Sequence, residues 1–191
     1  MAKTIERVVS DATIARKTAA LKWFMDAAKV HNVKLAHAAL NVQKTKTIRI
    51  GDMIHFLYDA KYKDKLPYWD KIPLVFPITI YNNGFLGINL HYLPVPLRIK
   101  LLDALISNLE KSVNKGKYTE RRYLEINYAI LQQVAKSSLY SVCIKRYLTT
   151  HIKSTIIKVS GQYWEDVALL PTAKFEKQSA VAVWRVAKRL N

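Results

Sequence analysis

Lys61, Lys63 and Lys65 alternate with Tyr62 and Asp64 in the stretch YDAKYKDKLPYWD, and Tyr68 and Trp69 follow close behind. Side chains alternate along an extended chain, so an extended segment here predicts a comb of three lysines on one side. Such a comb suits a row of phosphates, and a neighbouring Tyr68 or Trp69 could stack on an exposed base. The plainer alternative is a solvated edge beside a packed tryptophan. A second basic group comprises Lys145 and Arg146, with Lys153 further on and Arg121-Arg122 at the opposite end of the same stretch. The candidate nucleic-acid contacts are therefore Lys61, Lys63, Lys65, Arg121, Arg122, Lys145, Arg146 and Lys153, with Tyr68 and Trp69 as candidates for stacking on a duplex end.

Catalysis has little to stand on. Asp59-Ala60-Lys61 fits the acid-x-Lys half of a nuclease hairpin, but Mg²⁺ needs several oxygen ligands and only Asp52 precedes it at short range. The five histidines, His31, His37, His55, His91 and His151, show neither HxxxH nor HExxH spacing. His55 and His91 fall inside strand patterns and read as packed or edge residues. No GxxxxGK[ST] or GxGxxG loop occurs among the five glycines. The single cysteine, Cys143, has apolar or aromatic neighbours and is expected to be a buried thiol, which leaves no intrachain disulfide and no cysteine zinc cluster. No catalytic residue, metal or cofactor is expected.

Charge points to the partner. Lys plus Arg number 31 against 14 Asp plus Glu, a formal net charge of +17, with a sequence pI near 9.9. The excess runs through the whole chain instead of gathering in a tail, which favours a folded basic body and a polyanionic partner, nucleic acid first. No apolar stretch reaches the ~18 residues of a membrane helix, and MAKTIERVVSD lacks the apolar region of a signal peptide. A soluble protein in a reducing cytoplasm, with no membrane contact, is expected.

The elements that must position these residues follow from periodicity. Residues 10–30 have a helical pattern, 31–42 begin with an Ala-rich piece that suits a short helix, and QKTKT at 43–47 reads as a linker. MIHFLYDA, PLVFPITIY and FLGINLHYL read as strands, the last two joined through Asn82-Asn83-Gly84 as a hairpin. Pro73 and Pro77 make the middle strand short, bulged or an edge. PLRIKLLDALISNLEK predicts an amphipathic helix, and a longer helical pattern runs from Thr119 to about His151 with a break near Ser137-Ser138. STIIKVS and YWEDVALLP return to strand character, and SAVAVWRVAKRLN predicts a final basic helix. Helices and strands are segregated, which predicts an α+β fold: a small twisted antiparallel sheet or partly open barrel surrounded by helices, with an N-terminal helical arm. The domains are a basic helical arm and linker over 1–50 and a single α+β DNA-binding domain over 51–191.

The strings FLYDAKYKDKLPYWDKIPLVFPI, GFLGINLHYLP with LRIKLLDAL, CIKRYLTTHI, and YWEDVALLP with the later Phe175 and Val183-Trp184 carry a resemblance. Over approximately residues 51–184 the chain resembles the DNA end protector family of T-even-like tailed bacteriophages, also described as head completion proteins. The resemblance implies a non-enzymatic virion protein that binds the ends of the packaged linear double-stranded genome. It also implies that the protein enters the host cytoplasm with the DNA, shields the ends from host exonuclease, and is needed to complete the head. Implied partners are double-stranded DNA ends and phage head or neck proteins, and on a further alternative the host exonuclease itself. Two other readings compete: a neck or tail structural protein with incidental DNA contact, and a Mg²⁺-dependent nuclease built on Asp59 and Lys61.

Overall fold

The computed structural model of the protein describes residues 43–45, 47–113, 120–159, 161, 164, 168 and 172–189. In chain order the elements are β1 (Gln43–Thr45), β2 (Met53–His55), β3 (Trp69–Asp70), β4 (Leu74–Tyr81), β5 (Gly84–Asn89), α1 (Val95–Val113), α2 (Glu120–Lys136), β6 (Ile144–Leu148), β7 (Ile156–Val159), β8 (Phe175–Glu176) and α3 (Ala180–Arg189). Short 3-10 turns at Leu90–Tyr92, Ser138–Cys143 and Thr149–His151 join several of them.

The fold is α+β. Six strands form an antiparallel sheet in the order β1-β7-β2-β4-β5-β6, which is open at β1 and β6, in keeping with the expected antiparallel sheet that does not close on itself. β3 and β8 form a separate two-stranded ribbon.

The best-specified unit is the hairpin of β4 and β5, whose strands are rich in β-branched and aromatic residues and turn at Asn82-Asn83. Neither asparagine takes a positive φ; among the described residues only Lys177, Gly51 and Gly84 do. Gly84, at φ 154°, is needed because a Cβ there would run into the Tyr147 carbonyl oxygen of β6. Pro77 is tolerated because it lies beyond the two-residue ladder with β2, and the register with β5 slips between Pro77 and Thr79. β4 is thus bulged but neither short nor wholly an edge strand, since β2 and β5 flank its beginning.

Alternation sorts the sheet's residues onto two faces. Met53, Leu74, Phe76 and Ile88 join Leu101, Leu102 and Leu105 of α1, Leu131 of α2 and Val183 of α3 in one core. Ile54, Val75, Phe85 and Tyr147 join Phe56 and Tyr58 in a second, which has no α-helical member among the described residues. Among the described residues the helices therefore cover one face, while loop segments cover the other. Each fully buried Phe or Leu contributes roughly 1.5–3 kcal/mol by leaving water.

α1 starts where expected: Pro94 offers its carbonyl to the N–H groups of Leu97 and Arg98, and Pro96 sits in the first turn, where its missing N–H costs nothing. Ser179 Oγ accepts from the Ala182 N–H and caps the basic final helix.

Three expectations are corrected. Gln43–Thr45, read as linker, pairs with Ile156–Lys158 and extends the sheet. The helical pattern does not reach His151: α2 ends at Lys136, and Ile144–Leu148 is a strand because it pairs residue by residue with Gly84–Ile88, a non-local partner that local periodicity does not reveal. In YWEDVALLP, Trp164 and Ala168 are helical instead of extended; their four-residue spacing turns both into the core, where each is fully buried. The expected helices within residues 1–42 lie outside the described residues.

Candidate nucleic-acid interface

Residues 61–65 form a turn, not an extended comb. The Lys63 N–H bonds to the Ala60 carbonyl, and the Lys65 and Leu66 N–H groups both bond to the Tyr62 carbonyl, so the chain coils and presents Lys61, Tyr62, Lys63, Asp64 and Lys65 all to solvent. The carbonyls at the end of this coil are capped from far along the chain: Lys177 Nζ donates to the oxygens of Lys63 (2.6 Å), Leu66 (3.0 Å) and Asp64 (3.3 Å). Lys177 reaches them from a left-handed backbone position at φ 67°, directly after β8, and its ammonium also lies 5.6 Å from the centre of the Trp69 ring.

Two further basic residues are reached from the segment that leads into this turn, Lys153 directly and Arg146 by way of the β4–β5 hairpin. The segment Leu57–Asp59 runs against His151–Lys153, with a bridge between Tyr58 and Ile152, Asp59 N–H to His151 O at 3.0 Å and Lys153 N–H to Leu57 O at 2.8 Å. Lys153 is exposed on this junction. The same 3-10 turn reaches the β4–β5 hairpin, where the Thr149 N–H bonds to Asn83 O at 3.1 Å. There Arg146 lies with its guanidinium carbon 4.3 Å from the Tyr81 ring centre, donates to Tyr147 O at 3.0 Å, and donates to the Asn83 side-chain oxygen. The structure thus links the lysine turn, Lys153 and Arg146 along one bonded run of surface.

What holds that surface in place is buried and polar. His91 sits between Asp70 (Nδ1 to Oδ2, 2.7 Å) and Thr172 (Nε2 to Oγ1, 2.7 Å). Asn89 donates to Asp70 Oδ2 and to the Tyr147 hydroxyl, each at 2.9 Å. Burial alone would raise the Asp70 pKa, but the His91 charge and hydrogen bonds from His91, Asn89 and the Ile72 N–H outweigh it and hold the carboxyl below its ordinary value. Arg98 is also buried and donates to the carbonyls of Leu93, Ala168 and His91; burial lowers its pKa to about 10, against the pull of Asp70. The Trp184 indole N–H bonds to the same His91 carbonyl, at 2.8 Å. These groups tie β3, β5, β6 and α3 together behind the exposed loops.

The remaining candidates fall elsewhere. Lys145 is half-buried, with Nζ 4.3 Å from the Tyr92 ring centre, and burial lowers its pKa, so it does not share the exposed setting of Arg146. Arg121 and Arg122 lie in the first turn of α2, away in sequence and element from the lysine turn. Tyr68 packs against Tyr92 and Phe175, and Trp69 packs at the margin of the second core. The exposed aromatics beside these cations are instead Tyr62, at 57% exposure with Lys61 Nζ 5.2 Å from its ring centre, and Tyr81, at 47%, while a further exposed tyrosine, Tyr128, lies on α2. Nothing local in the sequence separates an exposed tyrosine from a packed one, although the turn residues beside Tyr81 are a signal of exposure.

The two carboxylates of the nuclease reading are occupied. Asp59 pairs with Lys63 at 3.2 Å, and buried Asp52 pairs with Lys158 at 3.0 Å and Arg49 at 3.1 Å. Among the described residues no group of three His, Cys, Asp or Glu could hold a metal ion, and no helix is long and apolar enough to cross a membrane.

No curated protein and no solved structure matches the chain. A family model does, over residues 1–187, and its description is the phage T4 terminal DNA protecting protein. With nearly the whole length matched, the chain belongs to the phage T4 terminal DNA protecting protein family.

Proposed function

We propose that the protein binds the ends of a linear double-stranded phage genome, without chemistry of its own, and shields them from exonuclease. The observation that carries this reading is the bonded run of exposed cations, Lys61, Lys63, Lys65, Lys153 and Arg146, on a chain of net charge +17. Lysine and arginine side chains release counterions when they neutralise phosphates, which supplies affinity that does not depend on sequence. Pairing of Asp59 and Asp52 with lysines and arginine favours binding over hydrolysis. On this reading the protein travels in the virion, enters the host cytoplasm with the DNA, and also serves completion of the head.

The test compares a linear duplex with the same duplex closed by hairpins at both ends, in binding and then in exonuclease digestion. Tighter binding to the open form, with protection, is expected; equal binding without protection would leave a structural virion protein that touches DNA incidentally. With about five phosphates engaged, log K should fall against log salt with a slope of roughly −4.5. Charge reversal at Lys61, Lys63 and Lys65 should flatten that slope by about three-fifths.

A further inference from the structure

Tyr81 and Ile80 stand out because they are large apolar side chains, 47% and 45% exposed, at the end of a strand whose other positions are mostly buried. The tip that carries them is unusually well fixed. Its two-residue turn is bonded through Asn83 O to the Thr149 N–H. Gly84 is pressed so closely on the Tyr147 carbonyl that no other residue fits. Arg146 lies over the Tyr81 ring and is itself held by Tyr147 O and the Asn83 side chain.

We infer that the β4–β5 hairpin tip is the end-reading element of the protein, with Tyr81 stacking on the terminal base pair of the duplex while Arg146 faces the adjoining phosphate. This rests on the proposed binding of DNA ends and says which residues distinguish an end from an interior site. A duplex presents phosphates and base edges along its sides, but a flat apolar face only where it stops. An aromatic ring fixed on a rigid tip beside a cation complements that face and its flanking phosphate together. A ring already held in place loses little freedom on binding, so more of the stacking energy appears as affinity. Arg146 has two of its donors turned to the protein, which keeps its plane against the ring and leaves the remaining N–H groups for a phosphate oxygen.

The test measures affinities of wild type, Tyr81→Ala and Tyr81→Phe for open and hairpin-closed duplexes at physiological salt. A second readout is the fluorescence of 2-aminopurine placed in the terminal or in a central base pair. Tyr81→Ala is expected to weaken open-duplex binding about tenfold while leaving closed-duplex binding unchanged, and Tyr81→Phe to behave as wild type. The terminal fluorophore should respond to wild type and not to Tyr81→Ala, and the central one to neither. Undiminished preference of Tyr81→Ala for open ends would overturn the inference and leave the end-binding reading standing. A wild type without preference for open ends would overturn both.

Discussion

His91 Nδ1 lies 2.7 Å from Asp70 Oδ2, with 0% and 1% of the two side chains exposed. A carboxylate so placed has its folded pKa held below the ordinary 3.8 by the His91 charge and its hydrogen bonds, in spite of its burial. The folded pKa is lower than the unfolded one, so the stabilisation is fully present above about pH 4 and is lost as pH falls through the folded value. Asp70→Asn should cost about 3 kcal/mol at neutral pH, because it leaves His91 without its charged partner. Urea midpoints followed from about pH 5 down to pH 2 should fall less steeply for the variant than for wild type. Parallel curves would separate Asp70 from acid stability.

Gly84→Ala is expected to lower stability by about 3 kcal/mol, since the new methyl meets a backbone carbonyl that cannot turn aside. Thermal unfolding should drop by about 10 °C, at the 2–4 °C per kcal/mol usual for chains of this size. A variant melting within about 2 °C of wild type would mean that β5 and β6 are less tightly opposed.

Cys143 is fully buried, its Sγ 2.8 Å from the Tyr140 carbonyl oxygen, and burial pushes the thiol up to about 12. Disulfide reagents at about pH 8 should therefore label the native protein at least a hundredfold more slowly than the denatured chain. Rapid native labelling would contradict the closed packing of the Ser138–Cys143 turn.

Lys177→Met removes the ammonium that satisfies three carbonyls of the lysine turn. The turn should fray, and trypsin should cut after Lys63 and Lys65 several-fold faster, with little change in global melting because the loss is local. Unchanged cleavage at those lysines would show that the turn holds itself.

The hairpin was legible because Asn82-Asn83-Gly84 marks it locally, whichever partners it meets. The lysine turn was legible in place but not in shape, because its coil is finished by Lys177, a residue more than a hundred positions away. IKRYL read as helix for the same reason: only the register with Gly84–Ile88 makes it a strand. Tyr68 and Trp69 looked like the stacking pair until Phe175 and Tyr92 claimed the first and the margin of the second core the other. Charge, counted over the chain, needed no tertiary knowledge and pointed to a polyanion from the start.

The position of β7 between β1 and β2 has a consequence for how the molecule is made. As the chain leaves the ribosome, the strands at residues 43–45 and 53–55 emerge long before Ile156–Val159, which must slot between them. That side of the sheet thus stays open until Ile156–Val159 have been made, and closing it requires a late, long-range insertion of the slow kind. A nascent chain halted short of Ile156 would carry two unpaired strand edges, and is the form most in need of a chaperone.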